Sequence, residues 1–339
     1  MSKPTVAITA PGFCYHSPDI LRALEEKFNL KILKNLPIKA SESELIDALK
    51  DCDGIVLGLH NLTKTVLFSL SSLKIVSRFG IGYENVDVKA ATEKGIIITY
   101  TRGIQEEISV AEHTIALMLA AAKNLISSHI FSTSGEWQKN PSKRLSFSGK
   151  ELYNKVLGVI GLGHIGQYVA KIARYGLNMQ VIAYDPYIAD EVFSKLGVVR
   201  IKDLDELLCN SDVITLHTPL TKETFNLISK EKFNKMKKDV IIINTARGQL
   251  LDEKALFDFL KDNPNACAAS DVFSEEPPSK DNPLLTLPNF ILTPHVAAFT
   301  RDAIRRMDET IFEDLTNFLI NKRLPPKERT VNPEVFSML

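Results

Sequence analysis

Short β-branched runs alternate with amphipathic stretches along this chain, and the pattern occurs twice. The first series is TVAITA (5–10), LKIL (30–33), GIVLGL (54–59), LKIVS (73–77) and GIIITY (95–100), with helical patterns near 18–28, 42–50, 63–71 and 86–94. A parallel strand is reached only by carrying the chain back across the sheet, so this alternation predicts an open, doubly wound parallel sheet with right-handed crossovers. A helical stretch near 110–125 follows. The second series is KVLGVIGLG (155–163), MQVIAYD (179–185), DVITLHTP (212–219), DVIIINTA (239–246), ACAASDVF (266–273) and FILTPH (290–295), with no sequence repeat linking it to the first. The fold class is therefore α/β, with two doubly wound parallel-sheet domains. A last helix, about 300–321, is expected to return to the first unit and leave a cleft bridged by two chain crossings. The polar stretch 132–152 is expected as an excursion between elements.

A length of 339 residues, 45% of them hydrophobic, suffices for two cores. Lys plus Arg and Asp plus Glu are 41 each, so no net field gathers nucleic acid or an anionic membrane. A small-molecule partner is expected. The four cysteines (Cys14, Cys52, Cys209, Cys267) form no CxxC pair and lie in or beside apolar runs, which predicts reduced core thiols, no zinc framework and no metal. The N-terminus has no leader pattern, and the longest apolar run, 115–122, is far shorter than the ~20 residues that span a bilayer. A cytoplasmic protein is expected.

Gly161, Gly163 and Gly166 form GxGxxG directly after the strand VLGVI and directly before the helical pattern QYVAKIARYG. The first glycine permits a tight turn, the second admits a pyrophosphate, and the third lets helix and strand pack closely at an N-terminus that attracts anions. Asp185 ends the next strand, where an acid accepts hydrogen bonds from ribose hydroxyls. A 2′-phosphate would be repelled there, and Pro186 and Tyr187 supply no cation to receive it, so NAD is expected over NADP. The second series thus reads as a Rossmann NAD domain over 104–296. It is inserted in a flavodoxin-like substrate domain made of 1–103 and the returning segment 297–339.

Hydride chemistry at an alcohol carbon needs a group that exchanges the hydroxyl proton, and histidine does this near neutrality. Of seven histidines, His295 and His217 both follow strands of the second unit, where such sheets place ligands, and position does not separate them. His113, on an apolar helix, reads as structural. Arg247, just after VIIINTA, can grip a carboxylate and polarise a carbonyl. Glu276 could orient an imidazole and favour its charged form, with Glu275 as competitor.

The segments RFGIGYENVD (78–87), SVAEHTIALML (109–119), GVIGLGHIG (158–166), LHTPLTKET (216–224), IINTARGQLLDEKAL (242–256), ASDVFSEEPP (269–278) and TPHVAAFT (293–300) resemble the D-isomer-specific 2-hydroxyacid dehydrogenase family over nearly the whole chain. The resemblance implies an NAD-dependent enzyme with Arg247, Glu276 and His295 as catalytic trio. It places the substrate carboxylate on backbone amides of Phe79, Gly80, Ile81 and Gly82. It assigns the cofactor to the glycine loop with His164 and Ile165, to Asp185, and to His217, Thr218, Pro219, Thr245, Ala246, Asp271 and Ala297. The region 104–155 resembles the family's homodimer interface.

Departures from the family pattern bear on the substrate. Phosphoglycerate dehydrogenases carry an Arg after the third strand, where this chain reads LGLHNLTK (57–64) with His60 and Lys64 as the bases. Ala297 and Ala298 stand where glycines are more usual. The chain ends at Leu339, and no regulatory C-terminal domain is expected. The expected substrate is glyoxylate, hydroxypyruvate or a related small 2-keto or 2-hydroxy acid, with 3-phosphoglycerate as the alternative. C-terminal-binding corepressors share the trio and respond to NAD(H), but they add disordered tails, and no low-complexity tail is evident here.

Overall fold

The computed structural model describes residues 3–338. The chain forms two compact units, one of residues 1–106 with 299–339 and one of residues 107–298.

In the first unit, β1 (Thr5–Ile8), β2 (Asn29–Ile32), β3 (Gly54–Leu57), β4 (Ile75–Arg78) and β5 (Ile97–Tyr100) form one parallel sheet in the order β2-β1-β3-β4-β5. That is the flavodoxin-like order. The connections are α1 (Pro18–Lys27), α2 (Glu42–Leu49), α3 (Lys64–Ser69) and α4 (Val88–Glu93). Ser41, Thr63 and Asp87 cap the last three by accepting hydrogen bonds from first-turn amides. Helices cover both sheet faces, so every residue of β3 and β5 is buried.

The second unit opens with α5 (Glu106–Ala122), α6 (Leu125–Thr133) and α7 (Glu136–Lys139). The expected single helix near 110–125 breaks at Asn124, whose φ is +49°. The stretch expected as an excursion instead holds α7 and a 3-10 turn at Pro141–Phe147, because Phe131 and Phe147 pack at 5.1 Å between centroids. The sheet then follows as β6 (Val156–Ile160), α8 (His164–Lys171), β7 (Gln180–Tyr184), α9 (Asp190–Leu196), β8 (Val199–Arg200), α10 (Leu204–Asn210), β9 (Val213–Leu216), α11 (Lys230–Phe233), β10 (Ile241–Asn244), α12 (Glu253–Asp262), β11 (Cys267–Ser270) and β12 (Phe290–Leu292). All strands are parallel in the order β12-β11-β10-β9-β6-β7-β8, a Rossmann arrangement with one further strand. Its topology reverses between β6 and β9, so loops leaving the C-terminal ends there form a natural ligand site.

The final helix, α13 (Arg301–Leu315), belongs to the first unit and is capped by the Thr300 hydroxyl. Ala303, Ile304, Met307, Ile311 and Leu315 recur at helical spacing and bury against Val6, Ile8, Val56, Ile75 and Ile97. Beyond it, Val331 donates to the Ile98 carbonyl and Asn332 Oδ1 accepts from Ile98 N, which covers the open edge of β5. No single helix among the described residues is long and apolar enough to cross a membrane. All four cysteines are free; Cys14 and Cys52 are buried, but Cys209 is exposed, one position past the buried Leu208 on α10. The expectation of four core thiols fails there.

Candidate active site

The loop after β6 shows why each glycine is needed. Gly161 has φ +91°, and a Cβ there would lie 2.6 Å from the His217 carbonyl oxygen. A Cβ on Gly166 would lie 2.2 Å from the Gly161 carbonyl oxygen, so any side chain would push α8 off the loop. At Gly163 a Cβ would meet nothing within 4 Å. The loop is thus tight at its first and third glycines and open at its second, where the first amides of α8 lack a carbonyl one turn back. Open space beside unspent N–H donors fits a dinucleotide pyrophosphate.

Asp185 locks that loop to the end of β7. Its Oδ2 accepts from Leu162 N at 2.8 Å, and its Oδ1 accepts from Tyr187 N and Ile188 N at 2.9 and 3.2 Å. Pro186 and Tyr187 supply no cation, but Arg200 on β8, which the sequence did not point to, donates to the Asp185 carbonyl at 3.1 Å. Its other nitrogen is held at 2.6 Å by Asp190.

Arg247 and the Glu276–His295 pair lie beyond the C-terminal ends of β10, β11 and β12. Arg247 follows β10, where Asn244 braces the turn by donating to the Arg247 carbonyl at 2.8 Å and accepting from Ala246 N at 3.0 Å. Gly248 lies so close to the 273–274 backbone that a Cβ would fall 1.9 Å from the Phe273 carbonyl carbon. The glycine after Arg247 therefore lets the β10 turn pack on the segment that carries Glu276. Glu276 Oε1 accepts from Phe273 N at 3.0 Å, and its Oε2 lies 2.6 Å from His295 Nδ1. With Nδ1 facing a carboxylate, Nε2 is the nitrogen left to exchange a proton with a ligand. Glu275 is exposed.

His295 sits in an unusual backbone position, with φ +55°, and its N–H donates to the Asp271 carbonyl at 2.8 Å. The Asp271 side chain, 1% exposed, accepts from Thr293 Oγ1, Val296 N and Ala297 N at 2.5, 3.0 and 2.8 Å. Burial alone would raise its carboxyl, but hydrogen bonds from His113, Thr293, Val296 and Ala297 outweigh that and hold it below the usual carboxylate range. A buried anion thus organises the turn that presents His295.

The other positions assigned to the cofactor lie around the same sheet edge. His217 is sunk at the end of β9 with Nε2 2.8 Å from Thr215 Oγ1, and burial pushes its imidazole down to about 3. That direction favours a neutral His217 and disfavours it as the proton carrier. Thr218 follows it, half-buried, and Pro219 is exposed. Thr245 is buried and bonds Thr114 on α5 at 2.9 Å, Ala246 is half-buried, and Ala297 is buried. His164 is exposed and Ile165 half-buried on the first turn of α8.

In the first unit, the loop after β4 has Gly80 at φ +126°. Phe79 N donates to the Leu57 carbonyl at 3.0 Å, so its amide is already spent. Of the four amides expected to take a carboxylate, those of Gly80, Ile81 and Gly82 remain.

A sequence model described as "D-isomer specific 2-hydroxyacid dehydrogenase, NAD binding domain" matches residues 115–297. A glyoxylate reductase of Korarchaeum cryptofilum is 36% identical over 93% of this chain and 93% of its own length. The chain belongs to the D-isomer specific 2-hydroxyacid dehydrogenase family. A D-3-phosphoglycerate dehydrogenase of Methanocaldococcus jannaschii is 44% identical over 89% of this chain, but the match covers only 55% of that protein. The chain therefore spans about half the length of that relative. A D-lactate dehydrogenase of Aquifex aeolicus, solved with NAD and lactic acid, superposes with a TM-score of 0.79 at 30% identity over 94% of this chain and 98% of that one.

Family membership makes the second unit an NAD-binding domain. The nucleotide's place is consistent with the open Gly163 and the fixed Asp185. Sequence reasoning missed Asn244, Arg200, Thr293 and the contact of His113. Only Asn244 left a signal, as the polar end of a wholly apolar strand.

Proposed function

We propose that the chain moves a hydride between NAD(H) and C2 of a small D-2-hydroxy or 2-keto acid, of the size of glyoxylate or hydroxypyruvate. The observation that carries this reading is the 2.6 Å pair of Glu276 Oε2 and His295 Nδ1 at the C-terminal edge of an NAD-binding sheet, with Arg247 on a neighbouring strand end. Bound nicotinamide supplies or accepts the hydride. In the reductive direction His295 Nε2 gives a proton to the oxygen at C2, while the Glu276 carboxylate on Nδ1 orients the ring. Arg247 polarises the carbonyl and grips the substrate carboxylate. The glycine loop, Asp185, Thr218 and the turn at Asp271 and Ala297 hold the cofactor.

D-3-Phosphoglycerate dehydrogenation is the second reading, favoured by the 44% identity to the Methanocaldococcus jannaschii relative. Against it, the bases after β3 are engaged elsewhere. His60 is 2% exposed with Nε2 3.3 Å from the Leu36 carbonyl, and Lys64 pairs with Glu93 at 3.3 Å. Neither is presented as a fixed phosphate ligand. Loss of NADH absorbance with glyoxylate, hydroxypyruvate and 3-phosphohydroxypyruvate tests the choice. The unphosphorylated acids should give the higher kcat/KM; a preference of about tenfold or more for the phosphorylated acid, worth ~1.4 kcal/mol, would replace this reading with the second.

A homodimer through the 104–155 region is part of the same proposal. Leu125, Ile126, Ile130, Trp137 and Leu145 are each 47–72% exposed in that segment, apolar side chains that a partner copy would cover. Sedimentation velocity should give a dimer, and Ile130→Asp a monomer; a wild-type monomer at micromolar concentration would remove the assignment. Free cysteines and a balanced charge support a reducing, cytoplasmic setting with no nucleic-acid or membrane partner.

A further inference from the structure

His113 lies near the middle of α5, a helix whose buried positions are mostly apolar. Its ring is not packed as an inert core group. Nε2 is 3.0 Å from Thr293 Oγ1 and 3.6 Å from Asp271 Oδ1, and its side chain keeps 23% of its surface. Thr293 Oγ1 is in turn 2.5 Å from Asp271 Oδ1. A carboxylate only accepts, so the Thr293 proton points at Asp271, and the hydroxyl's lone pairs face the imidazole. The Nε2–H of His113 must then be the donor to Thr293. The direction of the whole relay follows from the charge at one end.

At its other end the relay meets the turn that presents His295. Asp271 accepts from Val296 N and Ala297 N, and its own carbonyl accepts from His295 N. His295 has a φ of +55°, which a residue with a Cβ holds only when its surroundings impose it. The next residue of α5 is used similarly. Thr114 donates to the Val110 carbonyl and therefore accepts from Thr245 Oγ1 at the end of β10. Adjacent side chains of α5 thus fasten the strand ends that carry Arg247 and His295.

We infer that His113 is a positioning residue: through Thr293 it fixes the Asp271 carboxylate, and through Asp271 the backbone of the 293–297 turn and the place of the His295 ring. The inference rests on the proposed hydride-transfer function for its kinetic consequence, but its structural consequence can be read without turnover. Glutamine places an amide N–H near the position of Nε2, whereas leucine keeps the bulk and removes the donor. Thr293→Val breaks the same relay one step on.

Amide hydrogen exchange at Val296 and Ala297 in the purified protein is the primary readout. His113→Leu and Thr293→Val should each raise it about tenfold, the size of one hydrogen bond to a charged group, and the double variant should add nothing further. His113→Gln should restore protection. In keto-acid reduction, His113→Leu should lower kcat about tenfold, and His113→Gln should recover most of it. Unchanged exchange in His113→Leu, or His113→Gln behaving as His113→Leu does, would overturn the inference. A wild type that turns over no keto acid would defeat the proposed function alone, because exchange still decides the relay.

Discussion

At Asp185 three backbone N–H groups hold the carboxylate where the ribose of a dinucleotide is expected, so its charge cannot swing away from a 2′-phosphate. Arg200 is close enough to offset that charge in principle, but it is clamped between the Asp185 carbonyl and Asp190. NADH should therefore exceed NADPH in kcat/KM by about a hundredfold or more, some 3 kcal/mol of unrelieved repulsion. Asp185→Ser should shrink the ratio, and equal values in the wild type would remove the role given to Asp185. The glycines and this acid were legible in the sequence because their work is local: a turn, a close approach, a strand end. Arg200 was not, because a two-residue strand has no period to read. His113 looked structural for the same kind of reason: its partners are 158 and 180 residues away and meet it only through the sheet.

Among the elements, strands were read more surely than helices. The buried runs of β3, β9 and β10 form strands, every residue of which is buried. The segment 132–152 was misread because its polarity suggested a loop, while the contact between Phe131 and Phe147 holds short helices there. Helix α13 carries a property that hydrophobic spacing alone does not show. Asp314, 1% exposed, has its carboxyl pushed up to about 6 by burial, although Arg329 lies 2.8 Å away and pulls the other way. An acid whose folded value exceeds its unfolded one binds more protons when folded, so its contribution is full below about pH 4 and is lost as pH rises through about 6. Asparagine keeps an acceptor for Arg329 and removes the titration. Urea unfolding at pH 4 and pH 7 should show Asp314→Asn gaining about 2–3 kcal/mol on the wild type between the two. A difference that does not vary with pH would contradict this.

For the whole molecule, the division of labour follows the two sheets. The second unit is the NAD-binding domain and carries the Glu276–His295 pair. Periodicity showed two sheets but left His295 and His217 equal by position; the family resemblance pointed to His295, and in the fold burial pushes the His217 imidazole down to about 3. The account's central claim is that His295, held by Glu276 through Nδ1, delivers the proton from Nε2. The most direct test is kcat for keto-acid reduction in wild type, Glu276→Gln and His295→Ala, alongside NADH affinity by fluorescence. His295→Ala should lose about a hundredfold or more in kcat and bind NADH nearly as wild type, while Glu276→Gln should lower kcat by about tenfold. A fully active His295→Ala, or a Glu276→Gln enzyme with the wild-type kcat, would contradict the account.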